Sequence, residues 1–305
     1  MRPPQAAAEA HMANHPELPP GTGGAADAAT LGHRAWITLP FLAAGALFVP
    51  LLIPMAREWI AFPNLSHGFA IPFIAAYLLW ARRDRFRSLP VTPTAWGALP
   101  LVAGLAALVI GVASDEPFLA RLAILPILIG LVLFLAGPAM AGTAAFGLGY
   151  LVFMIPPPWS TLKLITYRSR LLDAEISAGA LSWLGVPVYR EGVLLHLPNI
   201  TLEVADECSS IPAIAALLAL GVAYAALARR PVPARVILVA ITLPLAITAN
   251  IIRIISVSWA AYAIGPWTLG TTYHTFNGTV NFIFTFCLLV AADGVLARLL
   301  PGRTR

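Results

Sequence analysis

The chain has 305 residues, of which 59% are hydrophobic and only 11% charged, with a formal net charge of +5 and two cysteines. A soluble globular domain carries about 25% charged residues, so this composition, with a mean hydropathy of +0.82, excludes an ordinary soluble fold. The positive charge does not point to nucleic acid, because the arginines sit in short clusters between apolar runs, and two cysteines cannot define a disulfide framework.

Apolar stretches of roughly 15–22 residues recur along the chain, long enough to cross a bilayer as helices. Lipid offers backbone groups no partners, so only helices or a closed barrel can span it. The runs are continuous rather than alternating, which favours helices. The predicted fold class is an all-α polytopic membrane protein with about eight transmembrane helices.

In chain order, residues 1–34 are rich in Ala, Pro, Gly and His without periodicity and read as a disordered cytoplasmic tail. No basic n-region and small-residue cleavage site precede the first apolar run, so that run reads as a retained anchor. The predicted spans are Trp36–Ala56, His67–Ala81, Ala95–Ala113, Arg121–Gly137, Ala141–Ile155, Ser210–Ala228, Arg235–Ala260 and Asn277–Ala297. They lie in a membrane domain over 35–298, followed by a basic cytoplasmic tail at 299–305. The positive-inside rule sets the orientation. Arg82, Arg83, Arg85 and Arg87, then Arg229, Arg230 and Arg235, then Arg298, Arg303 and Arg305 fall in loops on the N-terminal, cytoplasmic side. Asp115 and Glu116 fall on the other side.

The long segment 156–207 is expected outside the cytoplasm. Pro156, Pro157 and Pro158 end the fifth span, since proline lacks a donor and clashes with the preceding turn. Between Trp159 and Trp183, apolar Leu162, Ile165, Leu172 and Ile176 recur at helical spacing, with Lys163, Arg170 and Asp173 on other faces. That pattern suits an amphipathic helix lying in the membrane interface. From Val188 to Val204 the pattern turns β-like, with turns at Glu191-Gly192 and Pro198-Asn199, so a small β-hairpin insertion leading to Cys208 is expected. Asn199-Ile200-Thr201 matches a glycosylation sequon, a short pattern that arises readily by chance.

Three polar groups stand out against this background. Arg253 lies within an apolar span, where a charge needs a partner, a watery cavity or a route to the interface. Asn250, three residues earlier, shares its helix face. Cys208 opens the sixth span, where helix-start N–H groups favour a thiolate, while Asp206 and Glu207 oppose it unless they face water or pair with Arg253. His274 precedes the eighth span. A thiol, an imidazole and a cation at one depth are the parts that acyl transfer needs. Each also has a plainer reading: a small core cysteine, an arginine that snorkels, a surface histidine. His67, at the start of the second span, fits structural capping or substrate contact equally. Cys287 reads as structural and His196 as a surface or packing residue. Nothing implies a metal or other cofactor, since Cys208 and His274 are too few for a structural zinc site.

Taken together, four stretches resemble the exosortase/archaeosortase family of membrane-embedded cysteine transpeptidases. They are Ser66-His67-Gly68-Phe69 with the following Tyr77–Arg83, Val204-Ala205-Asp206-Glu207-Cys208-Ser209-Ser210-Ile211, Ala249-Asn250-Ile251-Ile252-Arg253-Ile254, and Tyr273-His274-Thr275-Phe276-Asn277-Gly278. Their order and spacing agree from about residue 57 to 297. Where many relatives read Cys-Ser-Gly-Ile-Arg, this chain has Cys208-Ser209-Ser210-Ile211-Pro212.

The resemblance implies a cysteine peptidase or transpeptidase that sorts exported proteins. Its substrates would bear a C-terminal short motif, a hydrophobic helix and a basic tail. By that resemblance Cys208 attacks to give a thioester, His274 serves as general base and acid, and Arg253 stabilises charge. Asn250, His67, Glu207 and Asn277 are assigned to substrate contact or to holding those three in place. The implied location is a bacterial inner membrane, with the site at the extracytoplasmic face. Two other classes remain open: a transporter or polymer-export component passing an anionic substrate by Arg253 and His274, and a non-catalytic binder of sorting signals. The transporter reading lacks an inverted repeat or matched broken helices.

Overall fold

The computed structural model describes residues 23–204, 210–228 and 230–299, and most of these are helical. The chain divides into two compact units, Met1–Ala46 and Leu47–Arg305. The boundary falls inside the first helix, α1 (Gly23–Ala61). Its first turns reach into the segment read as a tail; Ala-rich sequence there has good helix propensity. Residues 1–22 of that tail, and 300–305 of the basic tail, lie outside the described residues.

In the second unit a 3-10 turn (Pro63–Phe69) leads into α2 (Ala70–Trp80), and short α3 (Arg83–Ser88) carries the first basic cluster. Next come α4 (Ala98–Ala113), α5 (Pro117–Leu122), α6 (Ile124–Ala136) and α7 (Pro138–Gly149), the last extended by a 3-10 turn (Tyr150–Met154). α8 (Trp159–Trp183) follows the proline run. After the strands come α9 (Ser210–Leu227), α10 (Val232–Ala263), a 3-10 turn (Pro266–Leu269) and α11 (Thr271–Leu299).

Among the described residues, five helical stretches are long and apolar enough to cross a membrane: Thr38–Ala61, Ala95–Ala113, Pro117–Ala136, Val232–Ala263 and Phe276–Leu299. The chain is thus an all-α multi-pass membrane protein. Where the second, fifth and sixth spans were expected, the apolar helices are shorter: Leu65–Trp80, Pro138–Met154 and Ile214–Leu227. A perpendicular crossing needs about 20 residues, more than the described apolar part of each. Large apolar side chains such as Phe73, Leu99, Val109 and Ile283 are exposed, the surface expected of helices bathed in lipid rather than water. Where helices touch, small residues bring their backbones close. A Cβ on Gly130 of α6 would stand 2.6 Å from the Leu101 nitrogen of α4.

Polar groups at helix ends are paired. Arg121 of α5 is only 7% exposed and forks onto Glu58 of α1, with one Nη1–Oε2 hydrogen bond of 3.0 Å. Arg230, in the loop before α10, donates from Nε and Nη2 to the two carboxylate oxygens of Asp293 at 3.0 and 3.1 Å, and Tyr224 Oη donates to the same carboxylate at 3.0 Å. That hydrogen bonding to Asp293 raises the Arg230 pKa above its ordinary value. These contacts tie α9 and the loop before α10 to α11 at the end that carries the second basic cluster.

Residues 189–203 form a three-stranded antiparallel sheet in the order β1 (Tyr189–Glu191), β2 (Leu194–Leu197), β3 (Ile200–Glu203). Leu195 pairs with Leu202 and Leu197 with Ile200. The buried side chains of Leu195, Leu197 and Val204 meet Ala174 and Leu181 of α8 and Ile254 of α10 in one apolar cluster. Asn199, in the β2–β3 turn, donates Nδ2 to the carbonyls of Ala261 and Tyr262 at 3.2 and 3.3 Å. The sequon asparagine therefore caps the last turn of α10. His196 lies against Thr201, Nδ1 to Oγ1 3.0 Å, and stacks on Tyr189, a packing role.

Candidate functional site

The polar residues of α10 emerge from an otherwise apolar helix, and each is directed to a different neighbour. Arg253 is half-buried, and its guanidinium lies against α11 at Gly278. A Cβ added to that glycine would come within 3.3 Å of Arg253 Nη2 and 3.5 Å of Cζ. Glycine therefore lets the planar cation rest on the helix surface. One turn before Gly278 on the same face of α11 is His274, whose backbone is helical and whose side chain lies outside the described atoms.

Hydrogen bonds fix α11 to α10 around this point. Asn277 donates Nδ2 to Ser256 Oγ at 3.1 Å, and Ser256 Oγ donates to the Arg253 carbonyl at 2.9 Å. One turn further on, Asn281 donates Nδ2 to the Ala249 carbonyl at 2.9 Å. Asn277 was marked by sequence; Asn281 and Ser256 were not. An amide spaced by one turn from Asn277 in an apolar helix is the signal that would have found Asn281, because isolated amides at membrane depth bond across helices.

Asn250 turns the other way. It is 1% exposed and donates Nδ2 to Asp173 Oδ2 of α8 at 3.3 Å; Asp173 is also 1% exposed. One polar stripe of α8 thus faces inward, with Thr166, Asp173 and Ser177 buried, while Ile165, Leu172 and Ile176 are exposed beside Lys163, Arg168 and Glu175. Asp173 was read only as occupying a polar face. Its spacing with Thr166 and Ser177 places all three on one stripe of the helix, and in a membrane protein a polar stripe is the one that packs inward.

Arg170, on the same helix, donates Nη1 to the Val204 carbonyl at 3.4 Å and stands 3.7 Å from the Glu203 carboxylate. It thereby holds the end of β3, from which the chain continues to Cys208. Cys208 and Glu207 lie outside the described residues. A cavity of about 300 Å³ lies beside Arg253. Thr201 and Glu203 of β3, Val204 just after it, Val257 and Ser258 of α10, and Leu269 are among the residues lining it.

His67 belongs to the 3-10 turn Pro63–Phe69, which packs against α9, and is not among the described residues that line the Arg253 cavity. The next residue, Gly68, lies against the Trp59 indole, whose Nε1 donates to the Met154 carbonyl at 3.1 Å. Cys287 is exposed on the far part of α11. Among the described residues, no group of three or more His, Cys, Asp or Glu side chains is disposed to hold a metal ion.

A comparison with protein families matches residues 59–291 to the transmembrane exosortase model (Exosortase_EpsH). No curated protein and no solved structure matches the chain.

Proposed function

The chain belongs to the transmembrane exosortase family, a sorting-related family of cysteine transpeptidases, and from that premise we propose that it cleaves C-terminal sorting signals of exported proteins through a Cys208 thioester. The observation that supports this most is the seating of the Arg253 guanidinium on α11, one turn from His274 along that helix and lining a cavity bordered by the strand that leads to Cys208.

In this reading His274 takes the Cys208 proton, and the thiolate sulfur attacks the carbonyl carbon of the scissile peptide bond. Negative charge develops on the carbonyl oxygen, where a planar, permanently charged guanidinium stabilises it. The C–N bond then breaks, the leaving amine takes the proton held by His274, and the acyl group stays on sulfur as a thioester. Water or an amine acceptor attacks that thioester after giving a proton to His274, and the thiol is regenerated. Asn277 and Asn281 serve by fixing α11 to α10, which holds His274 and Arg253 in register. Asn250 and Asp173 serve by fixing α10 to α8. The substrate's own hydrophobic helix explains why the enzyme is embedded in the membrane, with its site at the extracytoplasmic face of a bacterial inner membrane.

Hydroxylamine intercepts a thioester as a hydroxamate. Membranes holding the parent chain and a signal-bearing substrate should yield a product with a C-terminal hydroxamate, detected by mass, and Cys208→Ala membranes should yield none. Cleavage by the parent with no hydroxamate at high hydroxylamine would contradict the thioester.

A further inference from the structure

β3 is one of the two edge strands of the sheet, and it borders the cavity beside Arg253. The pairing alternation fixes which groups are open. Val204 donates its N–H to the Val193 carbonyl at 3.0 Å, so Ile200, Leu202 and Val204 turn their main-chain groups toward β2, and Thr201 and Glu203 turn theirs outward. Among the described residues no main-chain hydrogen bond reaches those outward groups. An open edge is a template for another strand.

The occupant must satisfy a row of main-chain donors and acceptors at strand spacing, which is the chemistry of an extended polypeptide. Successive side chains of such a strand point to opposite faces. Every second one would enter the apolar part of the cavity, formed by Leu202, Ile254, Val257 and Leu269. The others would face outward beside the exposed side chains of Thr201 and Glu203. At about 3.3 Å per residue, the four residues of β3 offer a platform roughly 13 Å long. Arg253 lines the same cavity, so a carbonyl of the docked strand lies within the reach of a cation suited to polarise it.

We propose that the cavity between β3 and α10 is a peptide groove, in which the extended segment preceding the substrate's hydrophobic helix adds to β3 as a fourth strand and presents a carbonyl to Arg253. This rests on the sorting reading above and names how that site selects its substrate: by backbone extension, with apolar side chains at alternate positions. Proline at a position whose N–H must pair with Thr201 or Glu203 is excluded, since it has no donor.

The test is disulfide trapping in membranes holding the full chain with Cys208→Ala and Cys287→Ala. Thr201→Cys or Glu203→Cys is combined with a co-expressed secreted protein carrying a short motif, an apolar helix and a basic tail. A single substrate cysteine is walked through the residues preceding that helix. Strand addition gives the strongest adduct at the one substrate position opposite the enzyme cysteine, weaker adduct two positions to either side and none at the positions between, and moving the enzyme cysteine from 201 to 203 moves the maximum by two. Adducts at all positions alike, or none, overturn the proposal. Cleavage of the same substrate by the parent chain, followed in parallel, separates the two ideas. Cleavage without alternating adducts removes the groove and leaves the sorting reading. Alternating adducts without cleavage keep a peptide groove and remove the peptidase.

Discussion

Asp173→Ala probes the inward face of α8 and, through it, the placement of α10. The carboxylate is 1% exposed and accepts a hydrogen bond from Asn250, itself 1% exposed. A hydrogen bond to a charged group contributes about 1.5–3 kcal/mol, and a buried donor left without an acceptor costs about 1–3 kcal/mol. Asp173→Ala should therefore lower unfolding free energy by about 2–3 kcal/mol, measured by denaturant titration of the purified chain in detergent. Asp173→Asn keeps an acceptor oxygen of the same shape and should recover about half of that loss. Ile176→Ala, three residues along the same helix but 43% exposed, should cost less than about 1 kcal/mol, as substitutions away from packed features do. Equal losses for Asp173→Ala and Ile176→Ala would refute the inward orientation of the polar stripe, and with it the link from α8 to the Arg253 helix.

Gly278→Ala should act in opposite directions on stability and activity. Alanine favours a helix over glycine by about 1 kcal/mol, yet its Cβ would press on Arg253 Nη2 from 3.3 Å. Stability in detergent should hold or rise while substrate processing falls about tenfold, a fraction of the hundredfold that a 1 Å misplacement can cost; Gly278→Val with full activity would contradict the contact. Glu58→Ala leaves the 7%-exposed Arg121 without its carboxylate and should cost about 3 kcal/mol in the same denaturant titration, with the double change Glu58→Leu, Arg121→Met restoring most of it. Asn281→Leu removes the amide that donates to the Ala249 carbonyl. It should lower stability by about 1 kcal/mol, the range found for hydrogen bonds between membrane helices, and slow processing through loss of α10–α11 register.

The long apolar runs marked most of the helices because in a bilayer hydrophobicity and length alone decide what spans. Arg253 stood out by the same rule, as a polar residue that lipid makes costly, whereas Asn277 was marked only by the motif it shares with His274. The mutual positions within the site were less legible. Asn250 and Arg253 share a helix face by spacing, yet Asn250 reaches Asp173 of α8 while Arg253 reaches Gly278 of α11. Only the packing of three helices tells these directions apart. Asp173 was obscured because α8 carries both apolar and polar stripes, and the inward one is the stripe that a soluble protein would expose. Gly278 carries no side-chain chemistry, so its part in seating the guanidinium is invisible until the helices are brought together. The proline run after the fifth apolar stretch marked the start of α8 correctly, since proline at that place admits no continued helix.

The central claim is cysteine-dependent processing of a sorting signal, and one measurement addresses it directly. The chain and its Cys208→Ala variant are each co-expressed with a tagged secreted protein ending in a short motif, an apolar helix and a basic tail, and substrate mass is followed by blot. The account expects a mass decrease with the parent and none with a Cys208→Ala chain inserted at equal level. Equal cleavage by both would contradict Cys208 as the nucleophile.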